Sequence, residues 1–131
     1  MAGKSMGQSG FSLLELLVVM SIVGVLAVIA VPRFTNAISL ANTTKVQADL
    51  QTLNTAIVMY QAQHGKAPAN LTTDLQDYIV DADKLHPPKG ECLLRTGGKV
   101  EITDTSYALD TNSNQALCQT HAVNDFGRPE S

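Results

Sequence analysis

The sequence predicts an α+β fold, one long N-terminal helix packed on a small antiparallel β-sheet, and three observations predict it. Leu16 to Val31 is a run without a charged side chain. Apolar residues then recur at three- and four-residue steps as far as Tyr60, the spacing of one helix face. Beyond Pro68 short apolar segments alternate with Pro-Pro, Gly-Gly and Asp/Thr/Ser clusters, which is strand and turn spacing. At 131 residues the chain has room for one domain.

Hydrophobic residues make up 44% of the chain and charged residues 16%. The charged share is well below the quarter usual in soluble chains, so the apolar excess needs a location. The first run supplies it: LLVVMSIVGVLAVIAV, interrupted only by Ser21 and Gly24. Counted from Phe11, it is about 21 residues, or roughly 31 Å of helix, enough to cross a bilayer core. A domain this small cannot wrap a helix that is apolar on every side, so membrane residence is expected. Nine Lys+Arg against twelve Asp+Glu give a net charge of −3, which argues against a nucleic-acid-binding surface.

The ten residues ahead, MAGKSMGQSG, are small and polar with one Lys. A secretory signal would place its small-residue cleavage site after the apolar run. Here Ala30-Val31-Pro32 leads into Arg33, and the small residue, Gly10, precedes the run. Cleavage at Gly10 keeps the apolar segment in the mature chain.

Gly10-Phe11-Ser12-Leu13-Leu14-Glu15 ahead of an apolar helix resembles the processing site of type IV pilins and pseudopilins. The likeness covers the leader, the cleavage dipeptide, the carboxylate and the apolar stretch through Pro32; the rest matches in outline only. It implies that a membrane aspartyl prepilin peptidase cuts between Gly10 and Phe11 and methylates the new amine of Phe11. It also implies polymerisation into a helical filament with further copies and other pilin-like subunits. Its expected parts are a leader at 1–10, a transmembrane and assembly segment at 11–32, an amphipathic helix at 33–64 and a globular α+β head at 65–131. The precursor is expected as a single-pass protein of the bacterial inner membrane, head outward. After assembly it belongs to a filament that spans the periplasm or stands on the cell surface. Charge alone orients the chain weakly, since Lys4 and the initiator amine face only Arg33 and Lys45.

Glu15 can also be read without the family. A carboxylate inside hydrocarbon costs at least about 2.5–3.5 kcal/mol, so it needs a partner. Arg33 lies about 18 residues on, roughly 27 Å, and Lys4 leaves with the leader. Cleavage creates a partner, the amine of Phe11, reachable in cis at i+4 or from a neighbouring subunit. A protonated, merely tolerated Glu15 is the bland alternative.

Pro32 removes a helical hydrogen bond and crowds the preceding turn, so a kink or loosening is expected there. The resemblance implies a helix that melts locally at this proline; a simple kink is the other reading. Phe34, Ile38, Ala41, Val46, Leu50, Leu53, Ile57 and Tyr60 mark the apolar stripe, and Asn42 to Lys45, Gln47, Asp49, Gln51 and Thr52 the polar side. Gly65 is the expected C-cap and Pro68 blocks continuation. One helix from about Phe11 to His64, on the order of 80 Å, follows.

In the head, Pro68 to Leu85 reads as a turn and a short helix with Leu71, Leu75, Tyr78 and Ile79 on one face, N-capped by Thr72 or Thr73. Cys92–Arg95, Val100–Thr103 and Tyr107–Leu109 are strand candidates, with Gly97-Gly98 as a hairpin turn. A sheet of about three strands follows, with loops at 110–114 and after Asn124. Cys92 and Cys118 are the only cysteines. In a head outside the cytoplasm they are expected to pair, and pilin heads often carry such a bridge.

No catalytic constellation is visible: His64, His86 and His121 are scattered, and no phosphate loop or metal-ligand spacing occurs. Neither an enzyme nor a cofactor is expected. Asp110 to Asn114 begins like a calcium loop, but Gln115 and His121 occupy positions that need Gly and Glu. Asn42-Thr43-Thr44 and Asn70-Leu71-Thr72 fit the short glycosylation pattern. The expected function is a structural subunit of a type IV pilus-like filament. The alternatives are a pseudopilin of a type II secretion or competence system, and a single-pass membrane-anchored binding protein that never polymerises.

Overall fold

A computed structural model describes residues 10–130, so the leader at 1–10 lies outside the description except for Gly10. The element order is α1 (Leu13–His64), β1 (Gly90–Leu93), β2 (Lys99–Ile102), β3 (Ala108–Asp110) and β4 (Gln115–Leu117), with 3-10 turns at Ala82–Lys84 and Val123–Asp125. The fold is α+β. The chain forms two compact units, Met1–Thr35 and Asn36–Ser131.

In the first unit α1 continues in helical conformation through Pro32. Ser21 Oγ donates to the Leu17 carbonyl at 2.8 Å and Thr35 Oγ1 to the Val31 carbonyl at 3.2 Å. Such back-bonding satisfies the hydroxyls within the helix itself. The large apolar side chains of this stretch are exposed: Leu14, Val18, Leu26 and Val31 are all at least half so. The most apolar 18-residue window has mean hydropathy 2.8, long and apolar enough to cross a membrane.

The second unit is built on the remainder of α1, which ends where expected. Gly65 adopts φ 68° and donates to the Gln61 carbonyl at 2.8 Å, a left-handed cap that a Cβ would strain. His64 stacks on Tyr60 with centroids 4.1 Å apart, and Tyr60 meets Tyr78 edge-on at 6.1 Å.

The buried stripe differs from the expected one. Ser39, Thr43, Val46, Leu50, Leu53 and Ile57 are buried, in unbroken steps of four and three. Phe34 and Ile38 are exposed, as is Ala41. The reason is phase: Ala41 to Val46 is a step of five, about 140° round a helix, so the two sets lie on different faces. Thr43 is buried because it is bonded on both sides. Its Oγ1 donates to the Ser39 carbonyl at 2.6 Å and accepts from the Leu93 amide at 2.7 Å.

Two antiparallel hairpins replace the single three-stranded sheet: β1 with β2 and β3 with β4. The Gly97-Gly98 turn is where the sequence placed it, closed by Leu94 N donating to Gly98 O at 2.9 Å. Isolated hairpins are marginal, and their open edges need partners. Here the polar side chains of α1 supply them. Asn42 Nδ2 donates to the Glu91 carbonyl at 3.3 Å, and Asn54 Oδ1 accepts from the Ala116 amide at 2.7 Å. Asp49 Oδ2 accepts from Tyr107 Oη at 2.6 Å, while Lys45 Nζ binds Asp49 and the His86 carbonyl at 3.0 Å.

Three further expectations change. The segment after Pro68 folds as successive turns rather than a helix, because Asn70 and Asp74 bind nearby backbone instead. Asn70 Oδ1 accepts from Thr72 and Thr73 amides, and Asp74 Oδ2 from Ala69 and Asn70, which holds the Asp74 carboxyl below its usual value. Leu71, Leu75 and Ile79 are nevertheless buried together, as their spacing implied. A fourth strand, β4, follows the expected loop at 111–114, where none was predicted. Finally, the segment after Asn124 enters the core: Phe126 is fully buried, bridges to Leu94, and its carbonyl accepts from Gln47 Nε2 at 2.7 Å and Arg95 Nε at 3.1 Å.

Candidate functional site

The start of α1 gathers the residues that the sequence singles out. Gly10, Phe11 and Ser12 lie outside the helix, and Phe11 is 84% exposed. Ser12 is the N-cap: its Oγ accepts from the Glu15 amide at 3.1 Å, and its carbonyl takes the first helical bond, from Leu16 N at 3.1 Å. Sequence reasoning fixed on the acid and missed this cap, although Ser-x-x-Glu is the readable signature of a capping box. Glu15 stands in the first turn, where the helix dipole favours negative charge.

Phe11, Leu14, Glu15, Val18 and Val19 line one open apolar groove, so the geometry puts Phe11 and the acid on the same face. Among the described residues no cation sits within ion-pair distance of the Glu15 carboxylate. An amine generated at Phe11 adds a positive charge one turn from it, within the same groove.

Pro32 lies further along α1, and Cys92 and Cys118 belong to the second unit. The expected disulfide is a correction: Cys92 and Cys118 are free thiols, both fully buried. Number and compartment alone suggested the pairing, and neither fixes the distance and angle between two sulfurs that a bridge requires. Desolvation raises the Cys92 thiol, and it pushes Cys118 up to about 12, with the neighbouring Cys92 adding to the shift. Burial also raises the Tyr107 phenol, which donates to Asp49. Alkylation of unreduced native protein is therefore expected to leave both cysteines untouched, and alkylation after denaturation to label both quantitatively; a mass showing a cystine contradicts this.

The same shifts set an alkaline limit. A thiol whose pKa is higher folded than unfolded contributes stability that is complete below the unfolded value, near 9, and lost as pH rises toward the folded one. Chemical denaturation of the full chain in detergent micelles is expected to show stability falling above about pH 9, by up to about 1.4 kcal/mol per pH unit per group. A flat profile between about pH 8 and 11 contradicts it.

Asp110, the lead residue of the calcium-like pattern, is occupied by its own hairpin. Its carboxylate accepts from Ser113 Oγ and from the Asn112 amide at 3.0 Å, which lowers its pKa. Among the described residues no group of three His, Cys, Asp or Glu side chains is placed to hold a metal ion. The asparagines of both glycosylation patterns, Asn42 and Asn70, hold backbone as described above.

One turn is strained. Gln119 and Thr120 connect the Cys118–His121 bridge with φ of 49° and 69°, a left-handed pair that suits Asn-Gly. A β-branched residue is costly there. Gln119 Oε1 clamps the turn onto the Thr103 and Asp104 amides at 3.1 Å each. Thr120→Gly is expected to stabilise the second unit by about 1 kcal/mol, read as a raised denaturation midpoint; a lowered midpoint contradicts the assignment.

Comparison with known proteins bears on the same end of the chain. Residues 5–31 match the family described as the prokaryotic N-terminal methylation motif. A competence protein, ComGC, of Halalkalibacterium halodurans is 28% identical over 97 residues, which cover 74% of this chain and 93% of that protein. A type IV major alpha-pilin of Moraxella bovis is 44% identical over 50 residues, 38% of this chain and 31% of the pilin. The type IV major pilin protein PilE1 of Neisseria gonorrhoeae is 35% identical over 66 residues, half of this chain and 40% of the pilin. The chain thus matches less than half the length of these pilins. No solved structure matches it significantly.

Proposed function

We propose that this chain, which carries the prokaryotic N-terminal methylation motif and has type IV pilins and a competence protein as relatives, is a structural subunit of a pilus-like filament. It is made as a single-pass inner-membrane precursor with the head at 65–131 outward. A prepilin peptidase cuts between Gly10 and Phe11, and Phe11 is N-methylated. The apolar helix then leaves the lipid for the filament, packing against further copies or other pilin-like subunits. No catalytic role is assigned to the chain.

The observation that carries this reading is the pairing of an uncovered apolar helix with one acid, Glu15, beside the bond that cleavage would open. Two apolar surfaces, lipid and a neighbouring helix, cover such a helix equally well, so leaving the membrane forfeits little hydrophobic free energy. The acid then decides. In the filament Glu15 receives the Phe11 amine of the next subunit, which makes polymerisation conditional on leader removal.

A second reading, a competence-type pseudopilus subunit, is favoured by one observation: the match to the competence protein runs through most of that protein, while the pilin matches stop at 50 and 66 residues. Deletion of the gene with complementation tests both. Loss of sheared surface fibres that contain this chain by mass spectrometry supports the pilus. Loss of DNA uptake with no such fibres supports the competence reading, and neither loss contradicts a filament subunit.

A further inference from the structure

We infer that Ser12 is a positioning residue for leader removal: by capping α1 it holds the Gly10–Phe11 bond out of the helix, where a peptidase can reach it. The inference rests on the processing reading given above.

Hydrolysis breaks the C–N bond between Gly10 and Phe11. Water gives its hydroxyl to the Gly10 carbonyl carbon and its hydrogen to the Phe11 nitrogen, leaving a carboxylate and an ammonium. The scissile carbonyl has to be open to water and to the peptidase's acid groups. Inside an α-helix it is neither, because each carbonyl is engaged by the amide four residues on and screened by the side chains of the next turn. Nothing in the composition past Gly10 prevents such an extension. Phe11 is an ordinary helix residue, and Leu13, Leu14, Leu16 and Leu17 are strong helix formers.

The Ser12 side chain prevents it. If the helix began one residue earlier, the Glu15 amide would donate to the Phe11 carbonyl, its i−4 partner. In the structure that amide donates to Ser12 Oγ at 3.1 Å instead, and the first helical bond, Leu16 N to Ser12 O, starts one residue later. Phe11 is thereby freed on both sides: it is 84% exposed, and a Cβ built on Gly10 would meet nothing within 4 Å. The hydroxyl so occupies the amide whose bond to the Phe11 carbonyl would be the first step in extending the helix; the next, from Leu14 N to Gly10 O, would close off the scissile carbonyl.

The test uses the full precursor in detergent micelles with a prepilin-type aspartyl peptidase, following loss of residues 1–10 by mass. Ser12→Ala is expected to slow cleavage about five-fold, the factor that follows from loss of a typical N-cap. Ser12→Thr and Ser12→Asn, which keep a cap acceptor, are expected to stay within about two-fold of wild type. Hydrogen exchange of the Leu14 amide in the uncleaved precursor reads the extension itself, and is expected to slow in Ser12→Ala, where the Gly10 carbonyl would take that amide, but not in Ser12→Asn; quickened exchange of the Glu15 amide in Ser12→Ala, which marks fraying, overturns the inference. Unchanged cleavage of Ser12→Ala overturns the inference. So does slow cleavage of both Ser12→Ala and Ser12→Asn with normal Ser12→Thr, because the peptidase would then be reading the hydroxyl directly. A wild-type precursor that is never shortened removes the processing reading, and the inference with it.

Discussion

Glu15→Leu is expected to be inserted and cleaved normally yet to disappear from filaments. In the membrane the substitution relieves a cost, since Leu is at home in hydrocarbon where a carboxylate costs at least about 2.5–3.5 kcal/mol. In the filament it leaves the Phe11 ammonium of the adjoining subunit buried without its counter-charge. Removing one partner of a buried ion pair typically costs about 3–5 kcal/mol, or more than about a hundred-fold in affinity. The variant therefore gains as a membrane monomer and loses as a polymer subunit. Glu15→Gln, which keeps a hydrogen-bond acceptor without the charge, is expected to assemble at an intermediate level. Quantitative mass spectrometry of sheared filaments from cells that express variant and wild type together measures the incorporation ratio. Equal incorporation of Glu15→Leu removes the role proposed for the acid.

Phe126→Ala is expected to destabilise the second unit by about 3–5 kcal/mol, the range for emptying a fully buried aromatic site. Marginal domains carry only about 5–15 kcal/mol in all, so this is a large fraction of the total. The ring belongs to the buried core and meets His121 edge-on at 5.9 Å. Its backbone is fixed from two sides by Gln47 and Arg95, so little collapse into the void is available. The control is Phe34→Ala, the same substitution on an exposed helix face, expected to stay within about 0.5 kcal/mol. Chemical denaturation of the full chain in micelles, followed by tyrosine near-UV circular dichroism, compares the two. Equal effects would place Phe126 at the surface.

The contrast between these two phenylalanines shows which parts of the fold were legible. Strong local signals were readable: the charge-free run, the Gly65 cap, the Gly97-Gly98 turn and the α+β class. Phase was not. Counting apolar residues carried the stripe smoothly from Phe34 to Tyr60. The burial of Ser39 and Thr43, which shifts the buried face, depends on an amide of β1 fifty residues away. The strand β4 is three residues of Gln-Ala-Leu, too short for any periodicity, and exists because Asn54 and β3 complete its hydrogen bonds. Phe126 lies beside Gly127 and Pro129, which signal loop, and only the core it fills reveals its place.

The candidate site was more legible than the fold because it is contiguous. Gly10, Phe11 and Glu15 lie within six residues, close enough that Phe11 and Glu15 line one groove although Phe11 stands ahead of the helix. The bond that organises them, from the Glu15 amide to Ser12, was equally local and was overlooked in favour of the acid's charge. The cysteines were illegible for the opposite reason: they are far apart in sequence, and number and compartment say nothing of the sulfur–sulfur geometry that a bridge requires.

The central claim is that leader removal supplies the charge that makes the subunit polymerise. Intact-mass measurement of subunits dissociated from purified filaments tests it most directly. The expected mass is that of a chain beginning at Phe11 with one added methyl group. Filaments whose subunits still carry Met1 through Gly10 would contradict it.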